Sequence, residues 1–521
     1  MTRVTQNPSR RTILRAGTVS AASAALAAGA ATPASAAPEP VDVLIIGSGY
    51  AGAVAALRLA EAGIGSVVLE RGRRWTITEA GDTFATPRNL DGRAAWLSVT
   101  SPFSDRPLSL FTGVLEFAPG LGVSLLAGAG VGGGSLVNYA VMAEPPQDQF
   151  ARSFGPLLDH TEMAGTWYPR ARALIGTAPI PDDVLNSPYY TNARDFQRQA
   201  DAAGIPTERA ELAMDWQRVR EEIAGTAPPA AINAESMFGM NSGAKRSVDR
   251  TILAAAEATG HTTVLPLHRV DRLSASGDRY LVRCARLDDN GRVLARPEFR
   301  ARHVILAAGS LGTARLLVRA KARGDLPGLN DEVGRHWGSG GDHITVRTGM
   351  PPNNPAQGGP GHILAKDWAD PEAPVTLLGF PVGYPFQAET RATSALGVLT
   401  APALGRFTYS WLTDSVGLHW PSLDGRIRAL STAVDRTLGR INTANPGTWT
   451  LASTPAITAH SLGGAVLGRA TNGFGELVGQ PRLYVVDSSL IPGSTGSVPP
   501  ALTVTALADR CVQGILAERL T

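Results

Sequence analysis

The apolar positions of this chain change period along its length. Val41-Asp42-Val43-Leu44-Ile45-Ile46 is a short run rich in β-branched side chains, and such a run reads as a buried strand. From Ala53 the sequence AVAALRLAEAG has helical spacing, and Ser66–Leu69 returns to a strand. Residues 263–273, TVLPLHRVDRL, read as one further strand. Residues 302–306, RHVIL, read as another, entering a glycine-rich turn and a helix from Thr313 to Arg323. TLLGFPVGY and GRFTYSWLT read as strands of a second, strand-rich region. The alternation of strand and helix at the start predicts a parallel α/β layer.

A length of 521 residues exceeds one ordinary domain. Hydrophobic residues at 44% and charged residues at 18% exclude a disordered or fibrous chain. Two cysteines, Cys284 and Cys511, exclude a disulfide framework and a four-cysteine zinc site, and no metal site is expected. The formal charge of +3 misleads. Residues 1–36 carry four arginines and no other charge, so the remainder holds −1, and nothing in this balance points to nucleic acid. Those residues read as an address: Arg10-Arg11 before Thr12-Ile13-Leu14, a weakly apolar run from Ala16 to Ala31, and small residues ending at Ala36. The pattern predicts a twin-arginine signal peptide and a secreted protein exported already folded.

The candidate chemistry begins at Gly47-Ser48-Gly49-Tyr50-Ala51-Gly52, between the first strand and its helix. Gly47 permits the tight turn, Gly49 lets backbone approach a pyrophosphate, and Gly52 lets the helix pack on the strand. The helix N-terminus offers N–H groups to phosphate. Glu70, eighteen residues after Gly52, is placed to accept hydrogen bonds from an adenosine ribose. The Arg71-Gly72-Arg73 ending suits FAD better than NAD. Val270 is placed to lay backbone against the adenine, and Gly309 stands in a second strand-to-helix turn of small residues. The loop 128–138, GAGVGGGSLVN, places Gly130, Gly133, Gly134, Ser135 and Asn138 where backbone passes close to a ligand.

Together with His460-Ser461-Leu462-Gly463-Gly464 and Tyr484-Val485-Val486-Asp487-Ser488-Ser489-Leu490-Ile491-Pro492-Gly493, these motifs resemble the glucose–methanol–choline oxidoreductases, and within them the bacterial sterol oxidases with non-covalent FAD. The resemblance runs from about residue 41 to 517. It implies a fold of mixed α/β and α+β class. A Rossmann-like FAD-binding domain (41–80, 246–345 and 458–521) is interleaved with a substrate-binding domain (81–245 and 346–457) built on a mixed β-sheet with helices on one side. It implies that His460 takes the substrate hydroxyl proton while hydride passes to flavin, and that Asp487 belongs to the cofactor site. It also implies that Glu389, in Ala388-Glu389-Thr390, moves a proton from C4 to C6 of a sterol.

Two departures stand out. The family's Asn-Pro after the Pro-Gly is replaced by Ser497-Val498-Pro499-Pro500-Ala501, and its Asn-rich turn after Trp-Gly is Trp337-Gly338-Ser339-Gly340-Gly341-Asp342. Losing an amide that steadies reduced flavin costs about 1–3 kcal/mol. The resemblance implies FAD-dependent oxidation of a 3β-hydroxysteroid, O2 being reduced to H2O2, with Δ5→Δ4 isomerisation and transient membrane contact to extract sterol. The alternative is a related alcohol dehydrogenase with another substrate or acceptor. A flavin-binding protein without turnover and an NAD enzyme explain fewer of these motifs.

Overall fold

A computed structural model describes residues 37–101, 106–352, 356–359, 362–381 and 391–519. The expected signal segment 1–36 and Glu389 lie outside the described residues. The chain enters on β1 (Glu39–Ile46), whose last four residues are buried because both faces of the strand are covered. It continues through α1 (Tyr50–Glu61) to β2 (Ser66–Leu69). The hairpin of β3 (Leu115–Pro119) and β4 (Ser124–Gly128) delivers the glycine-rich loop. Helix α2 (Thr191–Ala202) precedes β5 (Thr207–Arg209). Then come β6 (Thr262–Leu265), β7 (His268–Ser276), β8 (Arg279–Leu287), β9 (Val293–Ala295) and β10 (Glu298–Leu306), which leads into α3 (Gly309–Ala322). A second set of strands follows: β11 (His343–Thr348), β12 (Ile363–Asp367), β13 (Val375–Pro381), β14 (Ala392–Val398) and the hairpin β15 (Arg406–Ser410) and β16 (Ser415–His419). Helix α4 (Gly425–Ala444), β17 (Trp449–Thr454), β18 (Ile457–Thr458), β19 (Leu483–Val485) and α5 (Ala501–Arg519) complete the chain.

The parallel layer has the strand order β6-β2-β1-β10-β19. This is the Rossmann-like arrangement expected from the first forty residues after the signal segment. Along the edge away from β1, β10 serves two neighbours: Glu298–Ala301 pair antiparallel with β8, and Val304–Leu306 pair parallel with β19. The single strand expected over 263–273 is broken. Pro266 has no amide hydrogen to donate and Leu267 adopts φ +58, so β6 stays beside β2 while β7 turns away to pair with β8. The helix expected from Thr313 begins four residues earlier, at Gly309.

The second sheet has the order β17-β11-β14-β13-β12-β5. Its ladders are antiparallel; mixed pairing occurs in the eight-stranded sheet and in the small β18-β4-β3 sheet. After β5 it resumes at His343, three residues before the expected domain boundary at 346. Strand alternation divides its two faces. Leu377 and Ala395 join Phe196 of α2 and Val434 of α4 in one apolar cluster, and glycine is required at Gly379 because a Cβ there would stand 2.5 Å from the Phe196 ring. Ile344, Leu378, Phe380 and Leu396 line a cavity on the other side. From Ala37 onward the chain forms one compact unit, with a core shared by both sheets.

Candidate active site

One cavity of about 790 Å³ runs from the Gly47 turn to the second sheet. Its nucleotide end is made by backbone geometry. Gly47 sits at φ +103, and a Cβ there would stand 2.4 Å from the Ala307 carbonyl oxygen, so only glycine lets β1 and β10 close together. Gly52 brings α1 against the Gly47 carbonyl, where a Cβ would be 2.0 Å away. Ser48 ties the turn to its neighbours. Its hydroxyl donates to Glu70 Oε2 at 2.7 Å and accepts from the Gly132 amide at 3.1 Å. The Gly72 amide donates to Glu70 Oε1 at 2.8 Å, fixing this buried carboxylate at the cavity wall.

The site residues expected from sequence separate into two groups. Gly47, Gly49, Tyr50, Ala51, Glu70, Gly133, Gly134, Asn138, Val270, Gly309, His460 and Asp487 all line this cavity. Gly52, Gly130 and Ser135 are set behind it. A Cβ on Gly130 would stand 2.8 Å from Leu136 and Trp75. The Ser135 hydroxyl donates to the Gly132 carbonyl at 2.7 Å and accepts from the Val248 amide at 3.0 Å. These residues shape the loop from within. Glu389 lies outside the described residues.

Sequence reasoning missed Lys245 and the partners that several of the expected residues find. Lys245, buried beneath the loop, donates to the carbonyls of Leu136 (2.9 Å), Asn138 (2.7 Å) and Ser236 (3.0 Å), and burial pushes its ammonium down to about 7. Asn138 Nδ2 donates to the Tyr50 hydroxyl at 2.9 Å. At the adenosine end Glu116 is paired with Arg71 and, at 2.9 Å, with Arg315. Burial raises its carboxyl, but the two guanidinium groups outweigh that and hold it at about 2. Asp487 accepts the Gly309 amide (2.9 Å), the Thr313 hydroxyl (2.6 Å) and the Ser489 amide (2.8 Å), so it caps α3 from β19; burial raises its pKa.

At the other end the two glycine-bearing segments that carry Trp337 and His460 interlock. Gly338 and Leu462 exchange backbone hydrogen bonds at 2.9 and 3.2 Å. Gly340, at φ +65, leaves room for His460, whose Cβ would be 2.5 Å from any Cβ there. Gly463, at φ +91, has the His336 carbonyl oxygen 2.1 Å from its Cβ position. The buried Trp337 indole donates to Ser461 Oγ at 2.8 Å. This interlock brings Asp342 to His460 across 118 residues, with Oδ1 2.6 Å from Nδ1. Asp342 Oδ2 accepts from Thr458 Oγ1 (2.9 Å), the Ala459 amide (2.9 Å) and the His460 amide (3.2 Å). The carboxylate side chain is 1% exposed and the imidazole 16%. Nδ1 therefore carries the hydrogen, and Nε2 is the acceptor left for the cavity.

The cavity fits a dinucleotide on protein evidence. A Cβ placed on Gly134 would meet nothing within 4 Å, and its backbone is not in the left-handed region. The protein itself does not demand glycine there, so the space beside it is kept for a ligand. The Gly47 turn, the α1 N-terminus and Glu70 then suit pyrophosphate and ribose.

Comparison with known proteins agrees. Residues 40–87 match an FAD binding domain, and residues 427–508 match the GMC oxidoreductase family. The chain is 28% identical to a cholesterol oxidase of Mycobacterium tuberculosis, covering 90% of each chain, and 25% identical to one of Acinetobacter baumannii, covering 92% and 94%. Its fold is similar to pyridoxine 4-oxidase from Mesorbium loti, with a TM-score of 0.63 and 18% identity over 92% of this chain and 99% of that one. A fungal aryl-alcohol oxidase gives 0.60 at 16% identity with the same coverage. On the cavity, the nucleotide turn and these matches together, the chain is an FAD-dependent oxidoreductase that resembles the glucose–methanol–choline oxidoreductases and, among them, the cholesterol oxidases.

Proposed function

We propose that the protein oxidises a 3β-hydroxysteroid of cholesterol type to its 3-ketone and passes the electrons to O2, giving H2O2. The observation that carries this reading is the His460–Asp342 pair beside the apolar wall of Ile344, Leu378, Phe380 and Leu396. The wall suits a rigid hydrocarbon, and the imidazole suits its single hydroxyl. His460 Nε2 accepts the hydroxyl proton, and Asp342 holds the ring in the tautomer that leaves Nε2 free. The Gly47 turn, the α1 N-terminus and Glu70 would hold FAD, which would supply the two-electron oxidising power for removal of the carbinol hydride, with O2 as the final acceptor. Glu389 carries the C4 proton to C6 in the isomerisation step. Export by the twin-arginine route places the enzyme outside the cell, where sterol is drawn from lipid surfaces.

A second reading, a related alcohol dehydrogenase with another acceptor, is favoured by one observation: Pro499 and Pro500 line the cavity where the family's asparagine is expected. The purified protein in air and in anaerobic buffer separates the two. Cholesterol should bleach the flavin in anaerobic buffer, and in air the colour should persist with one H2O2 formed per ketone. Bleaching without peroxide selects the dehydrogenase, and no bleaching refutes a sterol substrate.

A further inference from the structure

Most polar side chains at the substrate end of the cavity are already committed. Asp342 has four donors, Ser461 accepts from Trp337 and donates to Ser310 Oγ, and Asn138 is spent on Tyr50 and on the Ala140 amide. Tyr139 differs. It follows Asn138 directly and lines the cavity, with its ring 5.5 Å from that of Phe380 on the apolar wall. Among the described residues its hydroxyl has no hydrogen-bond partner. Asp342 and His460 line the same cavity as this ring.

We propose that Tyr139 donates a hydrogen bond to the substrate's carbinol oxygen, so that His460 Nε2 and the Tyr139 hydroxyl grip that oxygen together. This rests on the reading of the site as an alcohol oxidase. The stereochemistry of oxygen allows it: the hydroxyl hydrogen points to His460 and a lone pair receives the phenol. As hydride leaves carbon, the O–H proton passes to His460 and a C=O bond forms. The phenol stays on the oxygen throughout, and it strengthens its bond while negative charge collects there. Tyr139 thereby occupies the role left open where Pro499 and Pro500 replace an amide-bearing segment. Burial, reinforced by Asp342, pushes its phenol up to about 12, so it remains a donor over the neutral range.

Tyr139→Phe keeps the ring on Phe380 and deletes one oxygen. Ligand affinity is read from flavin absorbance in the FAD-loaded protein, with a 3-ketosteroid and its 3-deoxy counterpart as probes. The variant should bind the ketone roughly 10–100-fold more weakly and the deoxy compound unchanged. Unchanged ketone affinity overturns the assignment, and so does equal weakening of both ligands, which marks a packing role. If neither steroid perturbs the parent flavin, the sterol reading fails. Benzaldehyde against toluene then puts the same question to Tyr139, and a parent that binds no carbonyl compound overturns this inference as well.

Discussion

Replacing Asp342 with Asn changes one atom and should disable His460 by a route that the hydrogen bonds dictate. Three donors, Thr458 Oγ1 and the amides of Ala459 and His460, converge on Oδ2. An asparagine in this place must turn its carbonyl oxygen toward them, since an NH2 group would face three hydrogens. Its NH2 then points at His460 Nδ1, which must become an acceptor. The ring hydrogen moves to Nε2, and the atom facing the cavity turns from acceptor into donor. Loss of a general base costs about 10²–10⁴-fold. The charge-assisted bond at 2.6 Å adds about 1.5–3 kcal/mol that the neutral amide does not replace. The rate of anaerobic flavin bleaching by cholesterol in a stopped-flow instrument should therefore fall at least 100-fold in Asp342→Asn. Bound FAD should stay near the parental level, because the Asp342 side chain is 1% exposed and faces His460. A bleaching rate within a few-fold of the parent would show that Nε2 is not the base.

Three further outcomes are expected. Glu389→Gln should still form H2O2 from cholesterol but accumulate the unconjugated 5-en-3-one, followed by the slower rise of enone absorbance; parental isomerisation would remove Glu389 from the reaction. Glu116, held at about 2 by Arg71 and Arg315, contributes stability that is full above its ordinary value near 4.5 and is lost as pH falls toward 2. The shift corresponds to about 3 kcal/mol. Urea unfolding of Glu116→Gln should thus show about that much less loss between pH 4.5 and 2, and an unchanged pH slope would refute the pairing. Changing Arg10 and Arg11 together to Lys should hold the protein in the cytoplasm, whereas unchanged export in a fractionation blot would exclude the twin-arginine route.

The nucleotide half of the protein was legible from the amino-acid sequence because its signals are local. A buried β-branched strand, a turn with glycines at 47, 49 and 52 and an acid at 70 report contacts made within about thirty residues, where spacing alone sets geometry. His460 was legible through its neighbours Leu462, Gly463 and Gly464. Pairing across long separations was decided by tertiary structure. Leu267 breaks a strand that local hydrophobicity predicts to be continuous, since β6 and β7 serve different neighbours. Asp342 looked like a departure from a turn pattern, and only the interlock of glycines 340 and 463 brings it to His460. Lys245 and Tyr139 gave no sequence signal, because a buried ammonium or an uncommitted phenol is defined by what surrounds it. Residue type and near neighbours fix what a segment does locally; which atoms of distant segments share a low-dielectric cavity depends on packing of the whole chain.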